Sequence, residues 1–151
     1  SRTGATKAAA MSIAKTIGCD CEEIVDTKNR AGIIGYLRSG MEATLKKTSE
    51  IESMNKHPKD YSTIIIGTPV WALDMASPIR EYIQQNKGHF KNVAFFCTMG
   101  GSGGEKTVEN MSKLSGKEPV AQLILKQSEV MRMTYAQKLN EFADKIKSVI
   151  R

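Results

Sequence analysis

Three stretches of this sequence carry residue types suited to holding a ligand. The first is Ser1-Arg2-Thr3-Gly4-Ala5-Thr6, followed by Lys7, and it leads directly into an apolar-periodic segment. Hydroxyls at positions 1, 3 and 6 can donate to phosphate oxygens, and Gly4 lets the backbone approach closely. A helix starting there adds N–H groups and a partial positive charge. A phosphate dianion can be held in this way without a dedicated lysine, with Arg2 and Lys7 adding long-range attraction. The plainer alternative is a capped helix start, with Ser1 or Thr3 as the cap. The second stretch, Thr68-Pro69-Val70-Trp71-Ala72, follows an apolar run and holds the single tryptophan of the chain. An indole at the end of a strand can cover a flat aromatic ring, or can close the core beneath its own loop. The third is Thr98-Met99-Gly100-Gly101-Ser102-Gly103, with Gly104 behind it. Glycines at this density leave main-chain N–H and C=O groups open to a ligand edge.

These stretches need elements to aim them. Ala10, Ile13, Ala14 and Ile17 share one helical face, which predicts a helix over 5–17 that Gly18 ends. Residues 23–26 read as a short strand and residues 31–47 as a helix. The β-branched run at 62–67 and the apolar run at 93–97 suit parallel strands covered on both faces. Between them Ser77-Pro78 reads as an N-cap followed by a first helical residue, with the helix reaching about Gln85. A helix over 104–114, a strand over 120–125 and a last helix over 134–149 complete the pass. Strands alternating with helices predict an α/β fold, an open parallel sheet with helices on both faces. In such sheets ligands sit outside the carboxyl ends of the strands. All three stretches occupy that edge.

Composition narrows the function classes. A chain of 151 residues with 40% hydrophobic and 25% charged residues fits one domain over 1–151. The net charge of +6 favours acidic partners, but the lysines are dispersed and no nucleic-acid motif accompanies them, so no nucleic-acid partner is expected. No apolar run approaches the roughly 20 residues of a transmembrane helix, so no membrane association is expected. Cys19, Cys21 and Cys97 are an odd set without metal-ligand spacing. They suggest a reducing, cytoplasmic setting and no metal site. His57 and His89 are isolated, and no side chain reads as a catalytic acid, base or nucleophile.

Taken together, the three stretches resemble the flavodoxin-like family, in its short-chain form. The pattern S-x-T-G-x-T stands here as Ser1, Thr3, Gly4 and Thr6 and is similar to that family's FMN phosphate loop. Thr68 to Ala72 resembles its aromatic-bearing loop, and Thr98 to Gly103 the loop that meets the pyrimidine edge of the flavin. The resemblance implies FMN as cofactor, Ser1 to Thr6, Thr68 to Ala72 and Thr98 to Gly103 as cofactor-binding residues, and a strand order of 2-1-3-4-5. It implies an oxidoreductase role in electron transport, served by a redox partner protein or a small-molecule electron acceptor. The alternatives are an FMN-dependent NAD(P)H:quinone-type oxidoreductase and a flavin-free module for another phosphate ligand. That order also implies a first strand ahead of Ser1. The expectation is a sequence trimmed of that strand, or a strand supplied by another chain.

Overall fold

The computed structural model describes residues 3–27 and 50–150. Ser1, Arg2 and the helix expected over 31–47 lie outside the described residues.

Helix α1, Ala5–Ile17, has the bounds its apolar spacing predicts. Ala5, Ala9 and Ile13 are buried along one face, and Gly18 ends the helix at a φ of 78°. Then come β1 (Thr63–Trp71), β2 (Asp74–Met75) and α2 (Ser77–Asn86). They are followed by β3 (Asn92–Met99), α3 (Gly104–Ser115) and β4 (Gln122–Lys126). The short α4 (Gln127–Arg132) and the long α5 (Ala136–Ile150) end the chain.

The sheet runs β2-β1-β3-β4. β1, β3 and β4 are parallel, with Thr68 opposite Cys97 and Cys97 opposite Ile124. They stand side by side as the third, fourth and fifth strands of the order 2-1-3-4-5. β2 is an antiparallel addition, paired with β1 only at Val70–Met75 and Trp71–Asp74.

Side-chain alternation along β3 builds two cores. Ala94 and Phe96 pack with α1, α4 and α5 on one face of the sheet. Val93, Phe95 and Cys97 pack with α2 and α3 on the other. Burying each phenylalanine is worth roughly 2–3 kcal/mol. The Phe96 ring crosses the space beside β1, where a Cβ on Gly67 would lie 1.9 Å from the ring. Glycine at 67 is therefore a packing requirement.

Three expectations need correction. Residues 23–26 form no ladder with any described residue; a single antiparallel bridge joins Asp26 to Ile51. Two backbone bonds flank that bridge, Thr27 N–H to Glu50 O at 3.1 Å and Glu52 N–H to Val25 O at 2.9 Å. Just ahead of the segment, Glu22 accepts the backbone N–H groups of Asn55 and Lys56 at 2.8 and 3.0 Å. β1 runs on through Thr68, Pro69, Val70 and Trp71, so these are strand residues and not a loop. Ala76, not Ser77, is the N-cap of α2, and the buried Ser77 Oγ has no hydrogen-bond partner among the described residues.

Across residues 63–69, the β1 edge opposite β3 pairs with no strand among the described residues. It borders a groove of about 560 Å³ against α1 and the 19–24 segment. Ile13, Ile17, Ile24 and Ile65 line it, and it opens toward Thr6, Pro69 and Trp71.

Candidate functional site

The amino end of α1 is open. Its N-cap is Gly4, in the left-handed region at φ 77°, and no side-chain cap hydrogen bond is made there among the described residues. Thr3 Oγ1 reaches Ala5 N only at 3.5 Å, so the ordinary-cap alternative draws little support from it. A Cβ at Gly4 would meet nothing within 4 Å, which leaves the backbone accessible. An uncapped helix start with open backbone is a site for an anion. The Thr6 hydroxyl is buried and shares a 2.7 Å hydrogen bond with the Thr98 hydroxyl, which ties this turn to the end of β3. Lys7 is drawn aside: its ammonium donates to Glu23 at 2.9 Å, and that bond raises its pKa. Its expected long-range attraction is thus largely offset by a neighbouring carboxylate.

The second stretch ends in a tight hairpin. Trp71 is half-buried, packs against the α2–α3 core and lines the groove together with Pro69 and Thr6. Both expected roles, closing the core and presenting an aromatic face, are compatible with this position. Beyond it Ala72 and Leu73 adopt φ values of 48° and 62°. A two-residue hairpin turn needs this conformation, and glycine or asparagine usually supplies it. For alanine and leucine it costs about 1–2 kcal/mol each. Asp74 follows at once, buried and bonded to Arg80 at 2.6 Å.

The third stretch begins inside β3 and ends at the amino terminus of α3. Thr98 is buried, Met99 closes the strand, and Ser102 is exposed. Positions 100 and 101 have open space where a Cβ would be. Gly103, at φ 94°, is the N-cap of α3, and its carbonyl accepts the Thr107 hydroxyl at 2.8 Å. A Cβ there would lie 2.9 Å from Leu73 Cδ2 and 3.1 Å from Val70 Cγ1, so the second and third stretches touch at this glycine. Beneath the loop, the Cys97 thiol faces the Gly104 carbonyl at 3.7 Å. Burial pushes that thiol up to about 12, which keeps it protonated and unreactive. Cys19 and Cys21 are exposed. No cluster of three or more metal-ligating side chains occurs among the described residues, and no helix among them is long and apolar enough to cross a membrane.

The structure therefore gathers Thr6, Trp71 and Thr98 to Gly103 at one edge of the sheet. Sequence reasoning missed Arg80 and Asn110, which bond Asp74 at the end of the hairpin. The only trace of them in the sequence is a carboxylate at a strand end with an arginine six residues on.

Fold and site define an open α/β protein in which the first turn of α1, the β1 hairpin and the stretch after β3 lie together at the carboxyl edge of the sheet. The chain belongs to the flavodoxin family, whose model matches residues 1–146. Similar solved structures agree on the fold. A flavoprotein from Lactobacillus acidophilus NCFM, crystallised in complex with FMN, is 24% identical with a TM-score of 0.71 over 89% of this chain and 93% of that one. A protein from Bacteroides eggerthii DSM 20697 considered a flavoprotein is 23% identical with a TM-score of 0.69, covering 95% of this chain and 93% of its own. The apo-form of the Lactobacillus acidophilus flavoprotein, solved by NMR, is 24% identical with a TM-score of 0.63, covering 87% and 91%. No curated protein matches the chain.

Proposed function

We propose that this protein binds FMN at the carboxyl edge of its sheet and carries electrons between a reductant and an acidic protein partner or small-molecule acceptor. The observation that carries this reading is the meeting of the first turn of α1, through Thr6, with Trp71 and with Thr98 of the 98–103 stretch at one edge. Membership of the flavodoxin family supports it. The residues fit the cofactor: there is open space for a Cβ at Gly4, Gly100 and Gly101, and Trp71 lines a groove together with Thr6 of the first α1 turn.

Bound FMN would supply one- and two-electron chemistry. The chain's own residues bind and orient it. Ser1 to Thr6 take the phosphate, through N–H groups of the helix start and through hydroxyls. Trp71 covers the ring, with Thr68, Pro69, Val70 and Ala72 shaping the strand end beneath it. Main-chain groups from Thr98 to Gly103 meet the polar ring edge. An electron-rich indole against the ring disfavours added electrons there, and main-chain donors favour them, so these residues set the potential. None of the gathered side chains is assigned a proton-transfer role.

Reconstitution of the full-length protein with FMN tests the proposal. The expected result is a yellow protein whose flavin fluorescence is quenched. Loss of all flavin on gel filtration would reject the reading. NAD(P)H oxidation with a quinone, measured on the same sample, separates a carrier from a reductase.

A further inference from the structure

The Ala72–Leu73 turn poses a problem that its own residues do not solve. Both adopt positive φ without being glycine. β2 supplies only two residue pairs to hold them. Leu73 is 57% exposed, so burial of its side chain does not offset the strain.

What grips the turn is polar. Asp74 Oδ2 accepts Arg80 Nη2 at 2.6 Å, while Oδ1 accepts the Met75 N–H at 2.8 Å and Asn110 Nδ2 at 3.0 Å. The Asp74 and Arg80 side chains are each only 7% exposed. One carboxylate thus gathers donors from β2, α2 and α3 directly behind the turn. Thr68 Oγ1 adds a second hold by accepting the Ala76 N–H at 3.0 Å, which fixes where the hairpin leaves. Arg80 Nε has no partner among the described residues, so this arginine's one recorded side-chain bond is to Asp74. Breaking a buried pair of this kind leaves a charge uncompensated.

We propose that Asp74, with Arg80 and Asn110, is a positioning residue that keeps the Ala72–Leu73 turn left-handed and so fixes which main-chain groups it presents to the flavin ring. The second half of this inference rests on the FMN reading; the first half does not. Because Gly103 touches both Val70 and Leu73, the same grip sets the spacing between the second and third loops.

Two measurements test it. In the apo full-length chain, NMR couplings and carbon shifts of Ala72 and Leu73 report φ directly. Asp74→Asn and the milder Asn110→Ala are expected to lose the left-handed pattern. With FMN, Asn110→Ala should weaken binding about tenfold and shift the reduction potentials. Adding Ala72→Gly and Leu73→Gly should cancel most of that effect, because glycine adopts the turn without help. A left-handed pattern that survives both clamp variants overturns the proposal. So does a fall in Tm with unchanged turn and potentials, which a purely structural ion pair would give. A wild-type chain that retains no flavin rejects the FMN reading, and the apo measurement still decides the clamp.

Discussion

The hydroxyls of Thr6 and Thr98 meet at 2.7 Å in a buried contact that joins the first turn of α1 to the end of β3. Two of the three proposed ligand-binding stretches are thereby fixed to each other before any ligand arrives. Thr98→Val keeps the shape and removes the bond. It is expected to cost about 1–2 kcal/mol in urea unfolding and to loosen FMN. Unchanged stability and affinity would show that the contact is incidental.

Trp71 has one face on the core and borders the groove. Trp71→Ala should weaken FMN by about 1–2 kcal/mol, a factor of roughly 5 to 30 in Kd. Trp71→Phe should retain most of the affinity. Calorimetric titration of both variants checks this, and equal Kd values for wild type and Trp71→Ala would remove the indole from the site.

Gly67 and Gly18 give a contrast between crowding and strain. A Cβ at Gly67 would lie 1.9 Å from the Phe96 ring, whereas one at Gly18, at φ 78°, would meet nothing within 4 Å. Gly67→Ala is expected to destabilise by about 3 kcal/mol or more, and Gly18→Ala by about 1 kcal/mol. Parallel denaturation curves decide it; similar losses at both sites would contradict the packing.

Alkaline pH should weaken the fold through two buried acids. Burial holds the Cys97 thiol up to about 12 against 9.0, and the Tyr82 phenol up to about 12 against 10.0. The unfolded chain releases these protons first, so the folded state binds more of them between pH 9 and 12. Stability is therefore full below pH 9 and falls above it, by at most about 1.4 kcal/mol per pH unit for each group. Cys97→Ala should flatten the part of the decline between pH 9 and 10, which urea titrations can read. In the native protein, iodoacetamide should label Cys19 and Cys21 and spare Cys97.

The sequence expressed most clearly what depends on local pattern. Helix α1 could be bounded from four apolar residues and Gly18, because its burial and its stop signal lie within one segment. The alternation of β1, β3 and β4 with helices was legible in their apolar runs, while the order of the strands came only with the family resemblance. The hairpin was not legible, since Ala72 and Leu73 carry no turn signal and the Asp74 that follows them is bonded by Arg80 and Asn110 from separate helices. The segment 23–26 misled for the opposite reason. Among the described residues its β-prone residues have no strand partner beyond the single bridge to Ile51, so propensity found no ladder there. The open end of α1 was visible as a motif. Its tie to Thr98 was not, because 92 residues separate the two hydroxyls.

β3 sends Ala94 and Phe96 to one core and Val93, Phe95 and Cys97 to the other. Neither helical layer can come away without exposing one side of that strand. The two faces should therefore open together as one cooperative unit, with the slowest hydrogen exchange in the molecule at the amides of 93–97.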